Sequence, residues 1–213
     1  MNIHSITDIL FPMIQKIDLA SLRGSDSQIE AEFRLGKFNG NMFDTNVGKT
    51  THDYIMKGLS KYNGWDRIVS SEEEVFYRDS DGVRISIDST TGDETTIRKD
   101  RIMKHDLKHI GNTPFDIRLG VSSETPVTDE IEGDMDKKKT KKRVSFFRKN
   151  LSIDMTIVSG DSHDMDSEDP MSYQVEFEIL DLERVKTKDD LFKILHKIND
   201  VFIMLGTNKW SRC

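Results

Sequence analysis

Ile29-Glu-Ala-Glu-Phe-Arg-Leu35 alternates without a break, apolar at odd positions and charged at even ones. Tyr173-Gln-Val-Glu-Phe-Glu-Ile-Leu180 repeats the pattern near the other end of the chain. Successive side chains of a strand point to opposite faces, so each segment reads as a strand with one apolar and one charged face. Phe115–Glu124 alternates in the same way, with Ile117, Leu119 and Val121 against Asp116, Arg118, Ser122 and Glu124. Glu74–Tyr77, the turn residues Asp79-Ser-Asp-Gly82 and Val83–Asp88 predict a hairpin. Thr95–Lys104 predicts the next strand, and Arg143–Val158 a long strand or a bulged pair.

Three segments change to helical period. Asn2–Leu19 places Ile3, Ile6, Ile9, Leu10, Met13, Ile14 and Ile17 on one stripe, with a bend expected at Pro12. Thr51 to about Tyr62 predicts a second helix capped by Thr50 or Thr51. Lys188–Leu205 predicts the third, capped by Thr187, with Asp189 and Asp190 in its first turn and Gly206 as its stop.

A single alternating strand also fits a half-buried sheet whose polar face meets water. Two features argue against that for the set. The acids and bases are segregated: Ile29–Leu35 and Tyr173–Leu180 carry Glu-x-Glu, whereas Val83–Asp88, Thr95–Lys104, Phe115–Glu124 and Arg143–Val158 carry Arg or Lys on the polar register. The apolar helix stripes also need partners, which the other strand faces supply. Closing the sheet with its charged faces inward gives a barrel with an acid wall and a basic wall, and helices outside. Empty, such an interior would be prohibitive; it calls for water, metal and a polyanion. Carboxylates two residues apart on one strand lie about 7 Å apart on the same face, so two such strands offer oxygen donors to Mg²⁺ or Mn²⁺. Arg and Lys suit a phosphate chain.

Composition agrees. Charged residues make up 32% of the 213 positions, against a usual value of about 25%, as expected where one strand residue in two lines a solvated interior. The net charge of −7 argues against a general nucleic-acid coat. Lys137–Arg143, the acids from Asp129 to Asp136 and those from Asp161 to Asp169 read as solvated loops. Cys213 is the one cysteine, which excludes an internal disulfide framework and a Cys-rich zinc site. Neither a membrane-spanning run nor a signal peptide is evident, so an intracellular location is expected. His105 and His109 read as surface residues.

The strands Ile29–Gly36 and Tyr173–Ile179 resemble the metal-binding strands of the triphosphate tunnel metalloenzymes. Within them, the chain is most similar to the metal-dependent RNA 5′-triphosphatases of fungal, protozoal and large-DNA-virus mRNA capping systems. Phe115-Asp-Ile-Arg-Leu-Gly120 with Glu124, Lys142-Arg-Val-Ser-Phe146 and Ile153-Asp-Met-Thr-Ile-Val158 match further family strands in the same order. The resemblance implies an eight-stranded antiparallel β-barrel, the triphosphate tunnel, with external helices. The resemblance covers about residues 27 to 205, and the chain is expected to form one domain over 1–213: an N-terminal helix over 2–19, a barrel over about 27–180 and a C-terminal helix over about 188–205.

It also implies a chemistry. Glu30, Glu32, Glu176 and Glu178 would hold Mg²⁺ or Mn²⁺ at the γ-phosphate of a 5′-triphosphate RNA end. Arg84, Lys99, Arg118 and Arg101 would contact the triphosphate, and Asp154 with Thr156 would lie on the tunnel floor. Ser152 stands where the family carries a base, so Arg148 or Lys149 would supply that charge through a bulge. The product would be a 5′-diphosphate end, for a guanylyltransferase on the same polypeptide or on a partner chain. A nucleoside triphosphate is the implied second substrate, with Mn²⁺. Two alternatives stand beside this reading: a phosphohydrolase of tripolyphosphate or nucleotides, and a non-catalytic barrel in a transcription or capping complex.

Overall fold

In the computed structural model, which describes residues 2–19, 27–108, 115–128, 133–160 and 171–207, three helices flank nine strands. The order is α1 (Ile3–Gln15), β1 (Gln28–Asn39), β2 (Met42–Asp44), α2 (Lys49–Ser60), β3 (Arg67–Arg78), β4 (Val83–Asp88), β5 (Glu94–Leu107), β6 (Asp116–Pro126), β7 (Lys137–Arg148), β8 (Leu151–Ser159), β9 (Met171–Ile179), a 3₁₀ turn at Leu182–Arg184, and α3 (Lys188–Thr207). Hydrogen bonding runs β2-β1-β6-β5-β4-β3-β7-β8-β9, and β1 also pairs with β9. That last pairing closes eight antiparallel strands into a barrel, with β2 as an extension of β1. The expected fold class is therefore the observed one.

The core lies outside the barrel. Ala31, Phe33 and Leu35 of β1, Ile117, Leu119 and Val121 of β6, and Val175, Phe177 and Ile179 of β9 all turn outward and are buried. They share one apolar cluster with Ile6, Leu10 and Ile14 of α1, Ile55 and Leu59 of α2, and Leu191, Leu195, Ile198 and Phe202 of α3. Each such side chain contributes about 1.5–3 kcal/mol on leaving water. The intervening residues then have no alternative but to face the tunnel, which is how apolar parity on the outside fixes charge on the inside.

Several boundaries differ from expectation. The first helix stops at Gln15 and continues through Pro12. The second starts at Lys49 from Gly48, whose φ of +79° no side-chain cap accompanies. The third is capped as expected, the Asp190 amide donating to Thr187 Oγ1 at 3.2 Å, but it runs through Gly206 to Thr207. Arg143–Val158 is two strands, β7 and β8, which turn back at Lys149 with φ +53°. The lysine run from Lys137 is no loop: it forms the first half of β7, paired with β3 from Glu72 to Tyr77. There the acids of β3 offset the repulsion that sequence alone assigns to such a run, with Lys142–Glu72 at 3.1 Å and Lys138–Glu74 at 2.7 Å. Asp129, Glu130, Glu132, the acids from Asp161 to Asp169, His109 and Cys213 lie outside the described residues. His105 is half-buried on β5.

Candidate active site

The acid wall is built by two neighbouring strands. In the β1–β9 register Glu32 stands opposite Glu178, and Arg34 opposite Glu176. Glu30 lies one pleat further along β1. On the other side of β9, Ser152, Asp154 and Thr156 of β8 face Glu178, Glu176 and Gln174. All three β8 residues are buried, which places Asp154 and Thr156 on the inward face beside Glu176.

The basic wall lies across the interior. Its Arg84, Lys99, Arg101, Lys104 and Arg118 line a cavity of about 170 Å³ together with Glu32 and Arg34 of β1, Gly120 and Ser122. Lys99 and Arg101 share parity, facing Glu124 and Ser122 of β6, whereas Arg98 has the opposite parity and faces Thr125. A bulge between Arg101 and Met103 then shifts the register by one, which brings Lys104 and Asp106 to the same face. An extra residue in one strand does this to every side chain beyond it.

The two walls are already in electrostatic contact. Lys99 pairs with Glu30 and, at 2.9 Å, with Glu124. Burial by itself would raise the Glu30 carboxyl, but Lys99, with a 3.0 Å hydrogen bond donated by Ser122 Oγ, brings it below its ordinary value. Arg34 bridges the acid wall, pairing with Glu32 and lying 3.3 Å from Glu176. Arg143 approaches the far side of Glu176 at 3.6 Å and donates to Thr156 Oγ1 at 3.2 Å. Arg118 is held by both oxygens of Asp106, at 2.6 and 3.1 Å.

These cations do not neutralise the wall. Burial and the neighbouring Glu176 push the Glu32 carboxyl up to about 7. Burial, Asp154 and Glu30 do the same to Glu178. Asp154 is raised too, chiefly by burial, although Ser145 and Arg143 pull the other way. Its Oδ1 is buried with no hydrogen-bond partner, while Ser152 Oγ donates to Oδ2 at 3.3 Å. Among the described residues no three acidic or histidine side chains converge into a ready coordination site. Arg34 pairs with Glu32 and Glu176, and Lys99 with Glu30.

The fold thus assembles Glu30, Glu32, Glu176, Glu178, Asp154, Arg84, Lys99, Arg101 and Arg118 around one interior. Arg148 is not among them. It sits at the outer end of β7, 2.8 Å from Asp66, beside a cavity of about 540 Å³ shared with Tyr62 and α3. The β7–β8 turn contains no bulge that could bring it in. The cation beside Asp154 is Arg143, within the Lys142–Phe146 segment but not singled out from sequence. Its shared parity with Ser145 was the available signal. Lys104 had no such signal, because the bulge that turns it inward leaves no mark in the residue pattern.

The family described as mRNA capping enzyme, beta chain, matches residues 43–200. An mRNA-capping enzyme subunit beta from Yarrowia lipolytica is 29% identical over 104 residues, an alignment covering 45% of this chain and 27% of that protein. The chain thus matches about a quarter of the curated relative's length. The structure of the Schizosaccharomyces pombe RNA triphosphatase Pct1 superposes with a TM-score of 0.72 at 16% identity, covering 97% of this chain and 93% of Pct1. Pct1 in complex with the Spt5 CTD gives 0.73 at 16% identity, over 95% and 94%. The barrel described above has the fold of Pct1.

Proposed function

The chain belongs to the mRNA capping enzyme beta-chain family, and on that premise we propose that it hydrolyses the γ-phosphate of triphosphate-ended RNA. The product is a 5′-diphosphate end, the substrate a guanylyltransferase consumes in the next step of capping. The observation that carries this reading is the opposition of an acid wall and a basic wall inside one closed barrel. A phosphate chain between them meets cations on one side and carboxylates, which it would repel, on the other. A divalent cation between the carboxylates and the phosphate resolves that conflict.

The residues fit such an ion. Glu30, Glu32, Glu176 and Glu178 offer carboxylate oxygens, the donors that Mg²⁺ and Mn²⁺ prefer. The crowding that pushes Glu32 and Glu178 up to about 7 is the like-charge stress a bound cation relieves. When bound, the metal polarises phosphoryl oxygen and neutralises its charge.

The chain's own residues account for the rest. Arg84, Arg101 and Lys104 make no salt bridge among the described residues, so their charge is available to the phosphates. Lys99 and Arg118 are held in place by Glu124 and Asp106. Water attacks the γ-phosphorus in line with the bond to the β-phosphate oxygen; that bond breaks, and diphosphate-ended RNA departs. A glutamate of the acid wall positions the water and receives its proton, as base or through its hydrogen bonds. Phosphoryl transfer needs positioning and charge neutralisation more than covalent chemistry, so no Ser, Cys or His nucleophile is required.

The test is release of labelled phosphate from γ-labelled triphosphate RNA, with and without EDTA, by the wild type and Glu32→Ala. Activity should require Mg²⁺ or Mn²⁺ and fall by at least about 100-fold in the variant, the scale of losing one transition-state contact. Undiminished turnover in EDTA would sink the mechanism. ATP with Mn²⁺ is expected as a slower substrate; faster turnover of tripolyphosphate than of RNA would favour a small-molecule phosphohydrolase, and no release from any substrate a scaffold.

A further inference from the structure

The tunnel face of β1 does not end with its charged residues. Glu30, Glu32 and Arg34 are followed on the same face by Gly36 and Phe38, and Phe38 stands opposite Phe43 in the β1–β2 register. Gly40, with φ +59°, turns the chain so that β2 folds back along β1. Gly36 makes the fold possible: a Cβ there would come within 2.8 Å of the Phe43 ring. Phe38 and Phe43 therefore form an aromatic pair, with centroids 5.1 Å apart and planes tilted by 58°, at one mouth of the tunnel.

This pair is coupled to the basic wall. The Arg118 guanidinium, which lines the interior cavity, lies 4.4 Å from the Phe43 centroid and 5.7 Å from that of Phe38. Lys108 Nζ lies 3.9 Å from the Phe38 centroid. Both rings are half-buried, so each retains surface at the mouth. From Arg34 to Phe38 the strand advances about 13 Å, the scale of a triphosphate with its ribose. Aromatic rings interleaved with Arg and Lys, next to a phosphate site, are the combination that holds single-stranded nucleic acid by stacking and backbone charge.

We infer that Phe38 and Phe43 form a stacking platform for the first nucleobase of the substrate, with Arg118 as the link between base and triphosphate. The inference rests on the tunnel being a triphosphate site, and it adds what that reading leaves open. It names the part of the substrate that distinguishes RNA or a nucleotide from bare polyphosphate, and the mouth at which that part lies. Stacking is tolerant of base identity, so a chain acting on many transcripts would lose nothing by using it.

Calorimetric binding decides it without relying on turnover. The probes are a β,γ-imido nucleoside triphosphate and the base-free imidotriphosphate, each with Mg²⁺, against the wild type, Phe38→Leu, Phe43→Leu and Phe38→Trp. Leucine keeps the apolar bulk of the hairpin, and a thermal melt checks that each variant folds. Both leucine variants should lose roughly 5- to 150-fold in nucleotide affinity, the range of one stacked base. Their affinity for imidotriphosphate should stay at the wild-type level, and Phe38→Trp should retain or improve nucleotide binding. Equal losses for both probes would mean that the rings only brace Arg118, and no loss for either would reduce them to hairpin packing; each result overturns the platform. Failure of the wild type to hydrolyse RNA while this pattern holds would defeat the hydrolase reading alone. Failure to bind either probe would defeat both.

Discussion

On the helix-covered side of the barrel the outward side chains are sealed: Phe33, Ile117, Ile153 and Phe177 are each at most 2% exposed. On the uncovered side, Ile68 of β3 is 53% exposed, and the outward positions beyond it carry Glu72 and Glu74 against Lys142 and Lys138. One half of the barrel is thus held by burial, and the other by its hydrogen-bond ladder and an ion-pair row in water. Exposed pairs of that kind contribute only about 0–1 kcal/mol each. The covered half therefore supplies most of the stability and also holds the acid wall, while the uncovered half closes the tunnel.

The largest expected effect tests that asymmetry directly. Phe177→Ala should cost about 3–5 kcal/mol, the usual range for a buried aromatic whose site cannot collapse. Ile68→Ala should stay within about 0.5 kcal/mol, as exposed substitutions do. Urea denaturation of the two variants gives both numbers. Comparable losses would mean that the outer face of β3 is covered after all.

The same asymmetry governs how much could be read from the residues. Strands sealed by helices need apolar outward positions, and this need writes strict parity into Ile29–Leu35, Phe115–Val121 and Tyr173–Ile179. From that parity, the barrel, its outside core and the inward glutamates were all legible. β3 has no such constraint in its first half, where Arg67-Ile-Val-Ser-Ser71 follows no alternation and carries no strand signal. The lysines of β7 looked like a loop because their partners, Glu72 and Glu74, are distant in sequence. Site residues followed the same rule: the acids were found by parity, whereas Lys104 depended on a bulge and Arg143 on a pairing between strands.

A smaller effect should separate the acid wall from the acids outside the tunnel. Glu32 and Glu178 titrate near 7 in the folded chain, against about 4.3 when unfolded. Folding therefore takes up protons between those values, and stability falls as pH rises through the window. Outside the tunnel, Asp66, Asp81 and Asp88 are lowered, by hydrogen bonds from Lys149 and Arg148, from Arg78, and from Thr91 and Thr90 respectively, and their contribution is lost only in acid, below about pH 4. The metal-free protein should melt at a lower temperature at pH 7.5 than at pH 5.5. One kcal/mol corresponds to about 2–4 °C for a chain of this size, so a drop of that order is expected. Adding Mg²⁺ or Mn²⁺ at pH 7.5 should recover it, and Glu178→Gln should flatten the profile. A melting temperature that rises across this range, or ignores the metal, contradicts the charge balance derived for the interior.

The smallest effect concerns two arginines of one strand. Arg143 and Arg148 both lie on β7, five positions apart, and therefore on opposite faces. Arg143 reaches Glu176 and Thr156 in the interior; Arg148 reaches Asp66 at the outer end, where Asp66 also accepts from the Lys149 amide at 2.7 Å. Arg143→Ala leaves buried carboxylates short of a partner and should lower both turnover and stability. Arg148→Ala removes one half-exposed ion pair, while the Lys149 amide continues to hold Asp66 and the turn. Phosphate release by Arg148→Ala should therefore match the wild type at saturating and at limiting RNA, with a stability loss below about 1 kcal/mol. A raised KM for RNA in this variant, with kcat unchanged, would place a length of the RNA chain across the outer end of β7. It would make the uncovered half part of the substrate path instead of only the wall that closes it.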